Sequence, residues 1–300
     1  MAADVRIVAN YGDLCGEGPL WDRGSEILYW TDAVGQRFHS FAPRKDRYTQ
    51  LASNFEVCGF AFQEEGGFVV VNGSGIWLWD GSGPATSLAR EVDGHPCRMN
   101  DCIADPQGRL LAGSQFYSSE STDYPLGHLM RVDTDGSLHL LDDGICLANG
   151  LGFSPNERIL YFADSAARVI YAYDYDPASG QVSRKRIFAR TSVEEGLPDG
   201  LTVDAEGFVW CAQWFGSCVV RYDPDGRVER RIPVPAKQVS SLAFGGSDLC
   251  DLYVTSAALS DSLPLAPLAY NPSCGNVGGQ LFVANFGIPG KEEYRCAIRI

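Results

Sequence analysis

Three stretches of this chain place an oxygen-bearing side chain immediately before a short apolar run: Gly16-Glu17-Gly18-Pro19-Leu20-Trp21, Leu147-Ala148-Asn149-Gly150-Leu151-Gly152-Phe153 and Leu197-Pro198-Asp199-Gly200-Leu201-Thr202-Val203. Two carboxylates and an amide carbonyl form a hard, all-oxygen donor set, which favours Ca²⁺, Mg²⁺ or Mn²⁺ over ions that prefer thiolate. The three can act together only if the strands repeat one structural unit, so that Glu17, Asn149 and Asp199 take equivalent places around one axis. Taken singly, an Asn or Asp before Gly more often serves a turn by bonding its own backbone. Three at one register favour the metal reading. A further segment, His95-Pro96-Cys97-Arg98-Met99-Asn100-Asp101, sets Arg98 two residues ahead of Asn100. A cation beside amide donors suits an oxygen-rich substrate, although Arg98 could instead pair with Asp101.

The elements that must position these residues are strands. Gly and Pro (33 and 16) are spread along all 300 residues, and no stretch carries helical periodicity for ten residues. Tight turns recur at Asp105-Pro106-Gln107-Gly108, Asp133-Thr134-Asp135-Gly136, Asp204-Ala205-Glu206-Gly207 and Asp223-Pro224-Asp225-Gly226. Between them lie runs rich in Val, Ile, Tyr, Phe and Trp, as strands are. Aligning Glu17, Cys58, Asn100, Asn149, Asp199 and Ser240 gives starts 41, 42, 49, 50 and 41 residues apart. A period in the forties with four strands per unit is the mark of a β-propeller. The expectation is therefore an all-β chain: one six-bladed propeller domain over 1–300, four antiparallel strands per blade, a metal at its centre. Val5–Ala9 is expected to complete the last blade. The segments Ser114–Gly127 and Leu259–Gly279 read as long insertions between strands of one blade, places where a loop often covers a site.

Composition narrows the partners. A net charge of −14 argues against nucleic acid and anionic lipid. No apolar run approaches the ~20 residues of a membrane span. Met1 to Leu14 has neither a basic nor an apolar signal region, so a cytoplasmic location is expected. Ten cysteines without a C-x-x-C pair read as small buried hydrophobes in a reducing compartment. A monomer or small homo-oligomer is expected.

The ordered set Gly16-Glu17-Gly18-Pro19, Arg98-Met99-Asn100-Asp101, Asn149-Gly150-Leu151, Tyr161-Phe162-Ala163-Asp164-Ser165 and Pro198-Asp199-Gly200 resembles the regucalcin/gluconolactonase family of six-bladed propellers. The resemblance extends over nearly the whole chain. It implies one divalent ion at Glu17, Asn149 and Asp199, Ca²⁺ first, with Mg²⁺, Mn²⁺, Zn²⁺ and Fe²⁺ as alternatives. It also implies hydrolysis of a sugar lactone, with Arg98 and Asn100 on the substrate. For that reaction Asp199, a ligand with a free oxygen, is expected to be the base that activates water. Family members commonly carry Gly-Thr-Met where this chain has Gly113-Ser114-Gln115, and the following loop lacks an acidic residue near its start. Gln115 and Tyr117 are taken as pocket residues on that basis. Two other readings stay open: hydrolysis of organophosphate triesters on the same metal, and a non-catalytic propeller that binds calcium or docks proteins.

Overall fold

The computed structural model describes residues 4–53, 56–116, 126–259 and 265–299. They form six four-stranded antiparallel sheets and a two-residue hairpin pair at Glu91–Val92 and His95–Pro96; helix is confined to one 3₁₀ turn, Pro43–Lys45. The innermost strands are Gly16–Asp22, Gly59–Phe62, Met99–Ala104, Ala148–Phe153, Leu197–Val203 and Val239–Gly245. Each touches the next in chain order, and the sixth touches the first, so the sheets close a ring. This is a six-bladed β-propeller, with the strands where the repeat spacing sets them.

Burial runs from the axis outward. Leu197–Val203 is buried at every position, whereas the outer strand of blade four, Gln181–Arg190, is mostly exposed. The space between blades is filled by side chains from facing sheets; between blades five and six, for example, Trp210, Val219, Leu242, Phe244 and Phe282 pack together. The four predicted turns hold because Gly108, Gly136, Gly207 and Gly226 all sit at positive φ, between 81° and 87°. No disulfide forms; Cys97, Cys102, Cys211 and Cys296 are buried as expected, whereas Cys15, Cys58, Cys146, Cys218 and Cys250 are half-buried and Cys274 is exposed.

Blade six is completed by the start of the chain. Arg6–Asn10 pairs antiparallel with Gln280–Asn285, so the two ends of the ring share one sheet. Beyond that strand the chain crosses the face of the ring. Gly290 donates to Leu249 O in blade six and Pro289 accepts from Ala205 N in blade five. The Tyr294 hydroxyl donates to Glu157 in blade four, and Arg295 contacts Asp22 in blade one. Cys296 pairs with Phe62 and Glu64 in blade two, and Ala297 with Gly108 in blade three. One segment thus bonds to all six blades.

Candidate active site

A cavity of about 230 Å³ opens on the axis, lined by Glu17, Cys58, Asn100, Asn149 and Asp199 together with Asp101, Cys15, Ala33, Gln115, Leu147, Ser165, Leu197 and Trp214. Five of the six residues of the repeat register therefore meet. Ser240 does not: its hydroxyl bonds Gly16 O and Thr255, tying blade six to blade one.

The backbone explains how the others reach the cavity. In five of six blades the pairing of the innermost strand slips where the register residue stands: at Glu17/Leu20, Met99/Asp101, Ala148/Leu151, Pro198/Leu201 and Val239/Leu242. Such a bulge re-aims a side chain that regular alternation would leave between the sheets. Glycine follows because neighbouring strands converge there. A Cβ on Gly150 would lie 2.2 Å from Leu201 N, and one on Gly200 would lie 2.1 Å from Ser241 Oγ.

Hydrogen bonds stitch one wall of the cavity across three blades. Asn100 Nδ2 donates to Ala148 O (2.8 Å) and Asn149 Oδ1 (3.1 Å). Asn149 Nδ2 donates to Ser165 Oγ (2.8 Å), which donates to Pro198 O (2.6 Å). Asn149 is thereby fixed with its amide hydrogens on Ser165. Two carboxylates anchor the starts of innermost strands. Asp32 accepts from Leu14 N (3.0 Å), Cys15 N (2.8 Å) and Gly35 N (2.9 Å), and Asp164 from Cys146 N (2.9 Å) and Leu147 N (3.0 Å).

The electrostatics are those of an uncompensated acid cluster. Among the described residues no Lys or Arg lines the cavity. Burial, then the charges of Asp199 and Asp101, hold Glu17 well above the ordinary carboxylate range. Burial, then Asp101, does the same to Asp199. Asp101 is raised to about 7 by burial, against the opposing pull of the Cys102 N–H. Asp199 Oδ1 is shielded from solvent and has no hydrogen-bond partner among the described residues. Buried charge without a partner is costly, and a divalent cation would supply what is missing. Among the described residues no three His, Cys, Asp or Glu side chains gather as a ligand group; the donor set that fits a hard cation is Glu17, Asp199 and the Asn149 carbonyl.

The remaining sequence candidates fall in different places. Gln115 lines the cavity, and its N–H donates to Arg98 O at 2.8 Å. Arg98 lies outside the lining, exposed, with its guanidinium 5.4 Å from the centre of the Phe116 ring and no ion pair to Asp101. Tyr117 lies outside the described residues. The described part of the second insertion, 265–279, leaves the central cavity unlined and packs over blade five. Arg168 holds Leu265 O at 2.6 Å, Tyr270 packs on Phe215, and its hydroxyl donates to Gln238 Oε1 at 3.0 Å. Asp101 is the residue the repeat reading passed over. It follows Asn100 where the other blades have Gly18, Gly59, Gly150, Gly200 and Ser241, and that departure from a small residue was its signal.

A closed six-bladed ring with paired acids and amides on its axis defines a class, and the sequence comparison gives that class its family. The chain belongs to the family described as SMP-30/Gluconolactonase/LRE-like region, matched over residues 15–258. It is 36% identical to the pentonolactonase XacC of Haloferax volcanii, covering 95% of each chain. It is 34% identical to a 6-deoxy-6-sulfogluconolactonase of Pseudomonas putida, covering 98% of each. Among solved structures it superposes on a calcium-binding protein, regucalcin, from Agrobacterium tumefaciens with a TM-score of 0.83 and 27% identity, covering 99% of this chain and 98% of that one. Among the described residues no helix is long and apolar enough to cross a membrane.

Proposed function

We propose that the axial cavity hydrolyses a sugar lactone to its aldonic acid with the help of one divalent cation, Ca²⁺ first among candidates. The observation that carries this reading is the pair of carboxylates, the buried Asp199 and the partly buried Glu17, in a cavity that no basic side chain lines among the described residues. The lactonase names of the relatives and the calcium-binding description of the regucalcin structure support it. A cation held by Glu17, Asn149 and Asp199 would supply positive charge where the ring carbonyl becomes an oxyanion.

The chain's own groups do the rest. Asp199 has an oxygen free of protein partners and takes the proton of the attacking water. Asn100 has both hydrogens occupied by Ala148 O and Asn149 Oδ1, so its own carbonyl remains to accept a sugar hydroxyl. Gln115 adds an amide on the same wall, and Arg98, exposed beyond the lining, is assigned to the outer hydroxyls of the substrate. The buried setting of Asp199 sharpens its polar contacts relative to water.

The test is acid release from a panel of aldonolactones by protein that has been stripped with EDTA and then resupplied with single divalent ions. Activity is expected to vanish on stripping and to return with the ion. Asp199→Asn is expected to lose at least about 10³-fold in kcat and to weaken ion binding. Full turnover by stripped protein, or by Asp199→Asn, would remove the assigned roles.

A further inference from the structure

The second strand of each blade ends, in chain order, on Asp32, Asn72, Ser114, Asp164, Trp214 and Ser256. Five of these positions bind backbone close by. Asp32 and Asp164 hold the starts of the strands beside them. Asn72 Oδ1 accepts from Ser74 N, Ser114 Oγ from His128 N, and Ser256 Oγ from Gln280 N. Blade five alone replaces this anchor with an indole. Trp214 pairs with Leu197, two residues before Asp199, and lines the axial cavity. Its Nε1–H is shielded from solvent and finds no acceptor among the described residues.

The other tryptophans make that N–H stand out. There are six in the chain. Trp30 donates to Asp13, Trp77 to Asn72, Trp79 to Gly83 O and Trp210 to Asp204. Trp21 also lacks an acceptor, but it is stacked against Tyr253 in the core and lines no part of the cavity. A buried donor without a partner is rare in a folded protein and points to a ligand or a water. Near Glu17, Asp101 and Asp199, a neutral donor can meet a substrate oxygen without drawing off their charge.

Resting on the lactonase reading, we infer that Trp214 is a substrate-positioning residue: its indole Nε1–H donates to a hydroxyl of the sugar. The site then prefers polyhydroxylated lactones to bare ones. A donor that binds ground state and transition state alike changes KM rather than kcat.

Trp214→Phe keeps an aromatic ring and removes the N–H. Its KM for a hydroxylated aldonolactone is expected to rise about tenfold, the scale of one net hydrogen bond, with kcat little changed. For unsubstituted δ-valerolactone the variant and the parent are expected to share one KM. The second measurement needs no variant: protein labelled with ¹⁵N in its indoles is titrated with the aldonate product. The Trp214 resonance is expected to shift at saturation while that of Trp21 stays still. Turnover with an unmoved Trp214 resonance, or an unchanged KM in Trp214→Phe, overturns the assignment and leaves the lactonase reading intact. Absence of turnover with a Trp214 resonance that moves on adding a sugar lactone fails the lactonase reading alone.

Discussion

Asp101 shows what an acid cluster does to the protein that carries it. Its folded pKa is raised to about 7, foremost by burial, against about 3.9 in an unfolded chain. A raised folded value means that the folded state holds the proton longer. The stability tied to that proton is complete below pH ~4 and is lost as pH rises through about 7. Metal-free Asp101→Asn is therefore expected to melt at the parent's temperature near pH 3 and above it at pH 8, by roughly 2 °C for each kcal/mol relieved. Superimposable melting profiles across that range would refute the assignment. Glu17 and Asp199 were legible in the sequence because they recur at a fixed register. Asp101 and Trp214 were not, since each is the exception within its repeat and exceptions carry no periodicity.

At the scale of the element, the informative unit is the innermost strand with its bulge and the carboxylate that anchors its start. The repeat spacing predicted the strands, but a bulge is a slip in pairing between two strands and leaves no mark in the composition of either. Ser240 shows the consequence, since it shares the register and the bulge but turns to Gly16 O and Thr255 instead of the cavity. Asp32 is the anchor whose titration can be followed. Burial alone would raise it, yet the Cys15 N–H, Arg37 and the Gly35 and Leu14 N–H groups together bring it below the usual value. A depressed folded value gives stability that is complete above pH ~4 and is lost as pH falls through the folded pKa. Asp32→Asn is expected to be less stable at neutral pH by about 3 kcal/mol, because the buried carboxylate is replaced and the partly exposed Arg37 and the Leu14, Cys15 and Gly35 N–H groups lose the charge they bind. Its melting temperature should change less than the parent's between pH 5 and pH 2. An acid slope as steep as the parent's would show that some other group controls it.

The whole molecule is a ring fastened twice, by Arg6–Asn10 within blade six and by the segment from Pro289 to Arg299 across all six blades. The first fastening was legible as a short apolar run awaiting a partner. The second was not, because the segment forms no regular strand and its bonds depend on where six distant turns come to lie. Ending the chain after Phe286 is expected to lower the melting temperature by more than about 10 °C, in line with the loss of at least five backbone hydrogen bonds and the Arg295–Asp22 and Tyr294–Glu157 contacts. A shortened protein that melts within about 2 °C of the parent would show the crossing segment to be dispensable.

The strand that completes blade six is synthesised long before the strand it pairs with. A nascent chain leaving the ribosome therefore carries Arg6–Asn10 unpaired until Gln280–Asn285 has emerged. Every intermediate length exposes two sheet edges that can recruit a strand from another molecule. Slow translation or early termination should raise the share of insoluble product, and a circular permutation that joins the present termini and opens the chain between two blades would move that vulnerable interval elsewhere without altering the axial cavity.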